Sequence, residues 1–179
     1  GSEDERARET TGTAEAAGEG RAVAYEGDAV RRITLTADAL RSTLDRLSTA
    51  HRAEAIDAVA IGSPHASEDE LRALGRLVEG RSLAVPFYAC TARDTLAAVE
   101  DDGTADRLRD AGVQLVVDTC VVVTPILPAS GGVLMTNSGK FAHYGPSNTG
   151  YEVVYGSLED CVRSAETGAL LRDEALWRW

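Results

Sequence analysis

Short apolar runs alternate with segments of helical period along most of this chain, and that alternation leaves few folds open. VRRITLTA reads as a strand from Val30 to Thr36, and IDAVAIG as a buried strand from Ile56 to Gly62. SLAVPFYA is a third, with Pro86 suggesting an edge or a bulge. Val113–Thr119, VLMT from Val133, and Tyr151–Gly156 complete the set. Between them, ADALRSTLDRL places Leu40, Leu44 and Leu47 at helical spacing. SEDELRALGRLVEG opens with Ser67 three residues before Glu70, a capping-box spacing, and stops at Gly80. ARDTLAAVED and ADRLRDAG read as one helix broken near Gly103 or as two short ones. SLEDCVRSAETG runs from a capping Ser157 to a terminating Gly168. The pattern predicts an α/β fold, a three-layer α/β/α sandwich around a mostly parallel sheet.

Composition narrows the function classes. A chain of 179 residues suits one domain. A hydrophobic share of 44% with 5% aromatics implies a core of Ala, Val, Leu and Ile. Net charge of −11 argues against nucleic acid, which needs a basic face. It fits a soluble protein, including one working in high salt. No apolar run approaches the ~20 residues that span a bilayer, so no membrane segment is expected. Three cysteines without tight spacing argue against a disulfide framework and point to a reducing cytoplasm. Residues 1–27 read as a mobile leader or linker remnant, 28–170 as the α/β domain and 171–179 as a tail that docks or stays loose.

In parallel sheets, ligands bind outside the carboxyl ends of the strands. Three segments meet that condition: GSPHAS from Gly62, DTC from Asp118 and TNSGKFAHYGP from Thr136. Each has a plain structural reading. Ser67 is a helix cap, His65 ties down a loop, Cys120 beside valines is a small buried hydrophobe, and Cys90 and Cys161 are packing residues. GPSNTG is turn chemistry. No CxxC or HExxH spacing marks a metal site. Lys140 resists such a reading. It is the sole lysine among 18 basic residues, in a loop with Asn137, Ser138, Gly139 and His143. A compact ammonium beside hydroxyls and glycine amides suits a carboxylate or phosphate.

IGSPHAS followed by EL, then DTC, MTNSGKFAHYGP and YGSLEDCVRSAETG, occur in the order seen in the aconitase X family, which the chain resembles over Val30 to Gly168. The resemblance implies an aconitase-like α/β domain and a hydro-lyase acting on a small anionic hydroxy acid, such as cis-3-hydroxy-L-proline or mevalonate 5-phosphate. It implies an iron–sulfur cluster or mononuclear iron, with Cys120 as a ligand. At Ser63 the family has cysteine, and serine is a poor iron ligand beside thiolate. His65 would act near the leaving hydroxyl. Asn137, Ser138 and Lys140 would hold the substrate anion, with His143 and Tyr144 at the rim. The missing partners would be earlier domains and a swivelling domain or small subunit carrying the base, so the chain alone is expected to be inactive. The alternative is a degenerate, non-catalytic module with an assembly or anion-binding role.

Overall fold

The computed structural model describes residues 32–129 and 131–177. The expected leader at 1–27 and the start of the strand expected at Val30–Thr36 lie outside the described residues. Residues 32–36 are exposed and carry only a bridge at Thr34, so the described part of that segment is no strand. Ile33 and Leu35 alternate as a strand would, but no core lies beneath them.

Five strands form one sheet: β1 (Ala58–Ala66), β2 (Phe87–Thr91), β3 (Val113–Val117), β4 (Gly132–Thr136) and β5 (Tyr151–Tyr155). Their order is β3-β2-β1-β4-β5 and every pair is parallel, not merely most. Side chains alternate between two cores, as the strand repeat of two requires. Val59, Ile61, Phe87, Ala89, Met135 and Val154 pack with α2 (Glu68–Val78), α4 (Thr104–Ala111) and α6 (Leu158–Thr167). Ala58, Ala60, Tyr88, Cys90, Leu134 and Val153 pack on the opposite face with α5 (Gly139–Thr149) and the segment after β3. Small residues at Ala58, Ala60 and Ala89 let these layers approach, which a core with few aromatics needs. The crossovers leave β1 in one direction and β4 in the other, with α2 and α5 on opposite faces. Right-handed connections demand that arrangement.

Local signals explain most boundaries. Ser67 Oγ accepts from the Glu70 amide at 3.3 Å, while Glu70 accepts from the Ser67 amide at 2.8 Å. Ser157 and Asp160 make the same reciprocal cap on α6. Gly103, left-handed, separates α3 (Arg93–Asp101) from α4, so the broken helix is two helices. α1 (Ala37–Leu47) forms as its spacing predicts, yet it buries no residue and leaves Leu40 exposed. The segment after it serves the sheet instead. The Thr49 and Ala50 amides donate to the Val153 carbonyl, and Ser48 Oγ accepts from the Tyr155 amide, which covers the outer edge of β5.

Two expectations need correction. Pro86 marks neither an edge nor a bulge. It precedes β2, an interior strand, and its carbonyl accepts from the Val59 amide at 2.9 Å. Residues 139–149, read as loop and turn, are helix α5 with Pro146 in its last turn. After α6, the Leu171 amide donates to Ser164 Oγ at 2.9 Å and the Asp173 amide to the buried Asp160 carboxylate at 2.9 Å, so residues 171–173 dock. No helix among the described residues is long and apolar enough to cross a membrane.

Candidate functional site

The sheet order reverses between β1 and β4, so the crevice for a ligand lies beyond their carboxyl ends. β1 does not stop at Gly62, as expected, but runs to Ala66 through an irregularity. Ile61 pairs with Ala89 and Ala66 with Thr91, so five steps on β1 match two on β2. The looped-out residues are Gly62, Ser63, Pro64 and His65, with the Ser63–Pro64 peptide bond cis. Gly62 has φ of +73°, and a Cβ there would stand 2.1 Å from the Cys90 carbonyl oxygen. The bulge is therefore pressed backbone-to-backbone on the end of β2. Pro64 and His65 face solvent.

β4 supplies the other wall. Ser138 caps α5, its hydroxyl accepting from the Phe141 amide at 3.3 Å and donating to the Ser63 carbonyl at 3.3 Å. The Ser138 amide donates to Thr136 Oγ1 at 3.1 Å. Two of the three expected loops thus meet directly. Asn137 is half-buried just before the cap. Lys140 and His143, exposed and three residues apart, share one side of α5, while Phe141, Ala142 and Gly145 turn inward. The His143 ring lies edge-on to Tyr144, with centroids 4.7 Å apart. The start of α5 adds the positive end of a helix dipole to the Lys140 ammonium.

The third segment sits deeper. Cys120 is 8% exposed and joins the α5-side core with Cys90, Val121 and Phe141. Burial pushes the Cys90 thiol up to about 11, and the neighbouring Cys120 adds to the shift, against an opposing hydrogen bond from the Val121 amide. Cys161 lies in the other core, its thiol raised far by burial and then by Asp160. Asp118 has a left-handed backbone, φ +57°. Its carboxylate accepts from the Arg93 amide at 3.0 Å and from the Arg93 guanidinium at 3.0 and 2.7 Å. Those bonds, with a smaller electrostatic contribution from His65, hold its carboxyl below the usual range.

The structure therefore gathers Ser63, His65, Asn137, Ser138 and Lys140 at the carboxyl edge of β1 and β4, with His143 one helical turn further on. Cys120 is packed beside Cys90 instead of lying open with them. The pairing of Arg93 with Asp118 was not anticipated. Its signal was Ala92, which cannot cap the helix it precedes and leaves that task to another residue.

The donor set does not make a self-contained iron site. Among the described residues, no three His, Cys, Asp or Glu side chains converge to hold a metal ion. Ser63 Oγ is buried and without a hydrogen-bond partner, which an absent ligand would explain. An iron centre using the shielded Cys120 thiol and the Ser63 hydroxyl would need its other ligands from elsewhere.

Residues 56–167 match the family described as the aconitase X third domain. A cis-3-hydroxy-L-proline dehydratase of Hypocrea jecorina is 34% identical over 145 residues, 79% of this chain and 24% of the relative. The enzyme of the same name from Pseudomonas aeruginosa is 36% identical, covering 82% of this chain and 26% of its own. The phosphomevalonate dehydratase large subunit of Methanocaldococcus jannaschii is 29% identical, covering 76% and 33%. The crystal structure of Thermococcus kodakaraensis aconitase X in its holo form superposes with a TM-score of 0.64 at 26% identity, over 74% of this chain and 34% of that one. The chain thus spans about a quarter to a third of the length of these relatives.

Proposed function

The chain belongs to the aconitase X family, whose third domain it forms, and on that premise we propose that it is the anion-gripping part of a dehydratase. The observation that carries this reading is the Ser138–Ser63 contact at the point where the sheet order reverses, with Lys140 two residues beyond. The Lys140 ammonium and the first amides of α5 offer donors to a carboxylate or phosphate, and the Ser138 hydroxyl joins them by turning its one proton from the Ser63 carbonyl to the anion. Asn137 supplies a further amide, and His143 bounds the same side of α5. His65, on the exposed bulge, is the residue assigned to the hydroxyl that leaves. Dehydration takes a proton from one carbon and hydroxide from its neighbour. This chain holds the anion and shapes the hydroxyl's surroundings, and the base comes from another domain or a small subunit. An iron completed by ligands from outside the chain would act as a Lewis acid on that hydroxyl.

The substrate class is a small hydroxy acid, of which cis-3-hydroxy-L-proline and mevalonate 5-phosphate are the two to assay. The test is Lys140→Ala in the assembled enzyme. Loss of a charge-assisted hydrogen bond predicts a KM raised about tenfold to a hundredfold. Unchanged affinity would overturn the assignment. A second reading, a module that binds anions without catalysis, is favoured by serine at position 63, where the family resemblance implies cysteine. It predicts no iron in the assembly after anaerobic reconstitution, whereas the dehydratase reading predicts iron that depends on Cys120.

A further inference from the structure

We infer that Asp118 is a positioning residue: it fixes the turn that sets Cys120 into the site-facing core. The relevance of that turn to dehydration rests on the reading above; the geometry does not. β3 ends at Val117, and an ordinary continuation would carry the chain on in the plane of the sheet. Asp118 instead takes a left-handed step, open to Asp and Asn but costly to other non-glycine residues, and its side chain is bonded in that position. Its bonds run to the end of β2 and the start of α3. The Asp118 amide donates to the Thr91 carbonyl at 3.0 Å, and its two carboxylate oxygens take the Arg93 amide and guanidinium. Thr91 Oγ1 in turn donates to the Ala66 carbonyl at 2.9 Å, where the β1 bulge rejoins the sheet. Asp118, through its amide and carboxylate, and Thr91, through its hydroxyl, thus link three strand ends.

The path of residues 119–124 depends on that step. The Val123 and Thr124 amides both donate to the Cys120 carbonyl at 3.1 Å, and the Thr119 and Thr124 hydroxyls meet at 2.5 Å. The turn lays Cys120 and Val121 into the α5-side core and leaves Val123 73% exposed. Asp118 also caps α3 from outside that helix, since Ala92 offers no cap. A test must separate this general stabilising role from control of the turn.

The separating readout is the alkylation rate of each cysteine by iodoacetamide in the folded 179-residue chain, resolved by peptide mass spectrometry. Cys120 reports the turn, and Cys161, in the opposite core, reports global opening. Asp118→Ala strains the left-handed step and removes every carboxylate bond. It should speed Cys120 labelling about tenfold or more while Cys161 keeps its rate. Asp118→Asn tolerates the left-handed backbone and keeps one oxygen acceptor, so its Cys120 rate should stay within about threefold of the parent. Arg93→Ala, which keeps the backbone cap, covers the case in which Asp118→Ala does not fold. It should speed Cys120 labelling about threefold without moving Cys161. A Cys120 rate unchanged in Asp118→Ala, or in Arg93→Ala where that variant stands in, overturns the inference. So does a rise matched by Cys161. The assay needs neither iron nor substrate, so it can fail while the dehydratase reading stands, and the reverse.

Discussion

Replacing Gly62 by alanine should be among the most damaging small changes in this domain, and its cost divides into two measurable parts. The first is conformational. At φ +73°, an alanine must adopt a left-handed backbone, at a cost of about 1–2 kcal/mol. The second is steric. The new Cβ would lie 2.1 Å from the Cys90 carbonyl oxygen and 2.8 Å from the Ala66 amide, and both are backbone atoms that cannot swing aside. Forcing them apart costs about 1–3 kcal/mol more, as overpacking does in cores. Gly80 supplies the control. Its φ is +72°, yet a methyl group added there would meet nothing within 4 Å, so Gly80→Ala carries the conformational cost alone. The loss of unfolded-state freedom is common to both variants and cancels in their difference. With a urea slope of about 2 kcal/mol/M, the Gly62 variant should lose about 1–2.5 M in midpoint and the Gly80 variant about 0.5–1 M. Equilibrium urea unfolding followed by circular dichroism reads both. Midpoints that agree within about 0.3 M would refute the claim that the bulge is jammed against β2.

Three further outcomes rest on other contacts. Asp160, 1% exposed, accepts from the Ser157 amide at 3.1 Å and the Asp173 amide at 2.9 Å, so Asp160→Ala should cost about 2–4 kcal/mol. Amide exchange at Asp173 should speed up in that variant. The Asp102 carboxyl is held down to about 2 by the Thr104 hydroxyl, the Arg72 guanidinium and the Thr104 amide. A depressed carboxyl contributes stability that is present above its unfolded pKa and lost as pH falls through its folded one. Urea midpoints should therefore drop between about pH 4 and pH 2, and the drop should be smaller in Asp102→Asn. Ser138→Ala removes the cap of α5 and should lower stability by about 1 kcal/mol, measured by thermal unfolding.

Much of this architecture was legible in the order of residues. Periodicity located β1 through β5 and five of the six helices, because a buried face must repeat every two or about 3.6 residues whatever lies opposite it. Ser67 with Glu70, Ser157, Gly168 and Gly103 announced their boundaries because caps and left-handed breaks are made by neighbours in sequence. Helix α5 was not legible. Its glycines and Pro146 have poor helix propensity, and it holds together because Phe141, Ala142 and Gly145 press on the sheet. The same limit applies at the site. Strand ends named Ser63, His65, Ser138 and Lys140, and topology supplies the reversal between β1 and β4 that makes neighbours of residues 75 positions apart. The bulge in β1 arises from pairing with β2, distant in sequence, and no local pattern encodes it; Ala92 signals that α3 lacks a local cap, and only the fold supplies Asp118 as the partner of Arg93. Sequence alone determined most of the elements, α5 and the segment before α1 excepted, and which residues carry polar chemistry, because propensity and periodicity are local. Tertiary structure decided which of those residues face one another and how deeply Cys120 is shielded, because burial and register belong to strands meeting across the sheet.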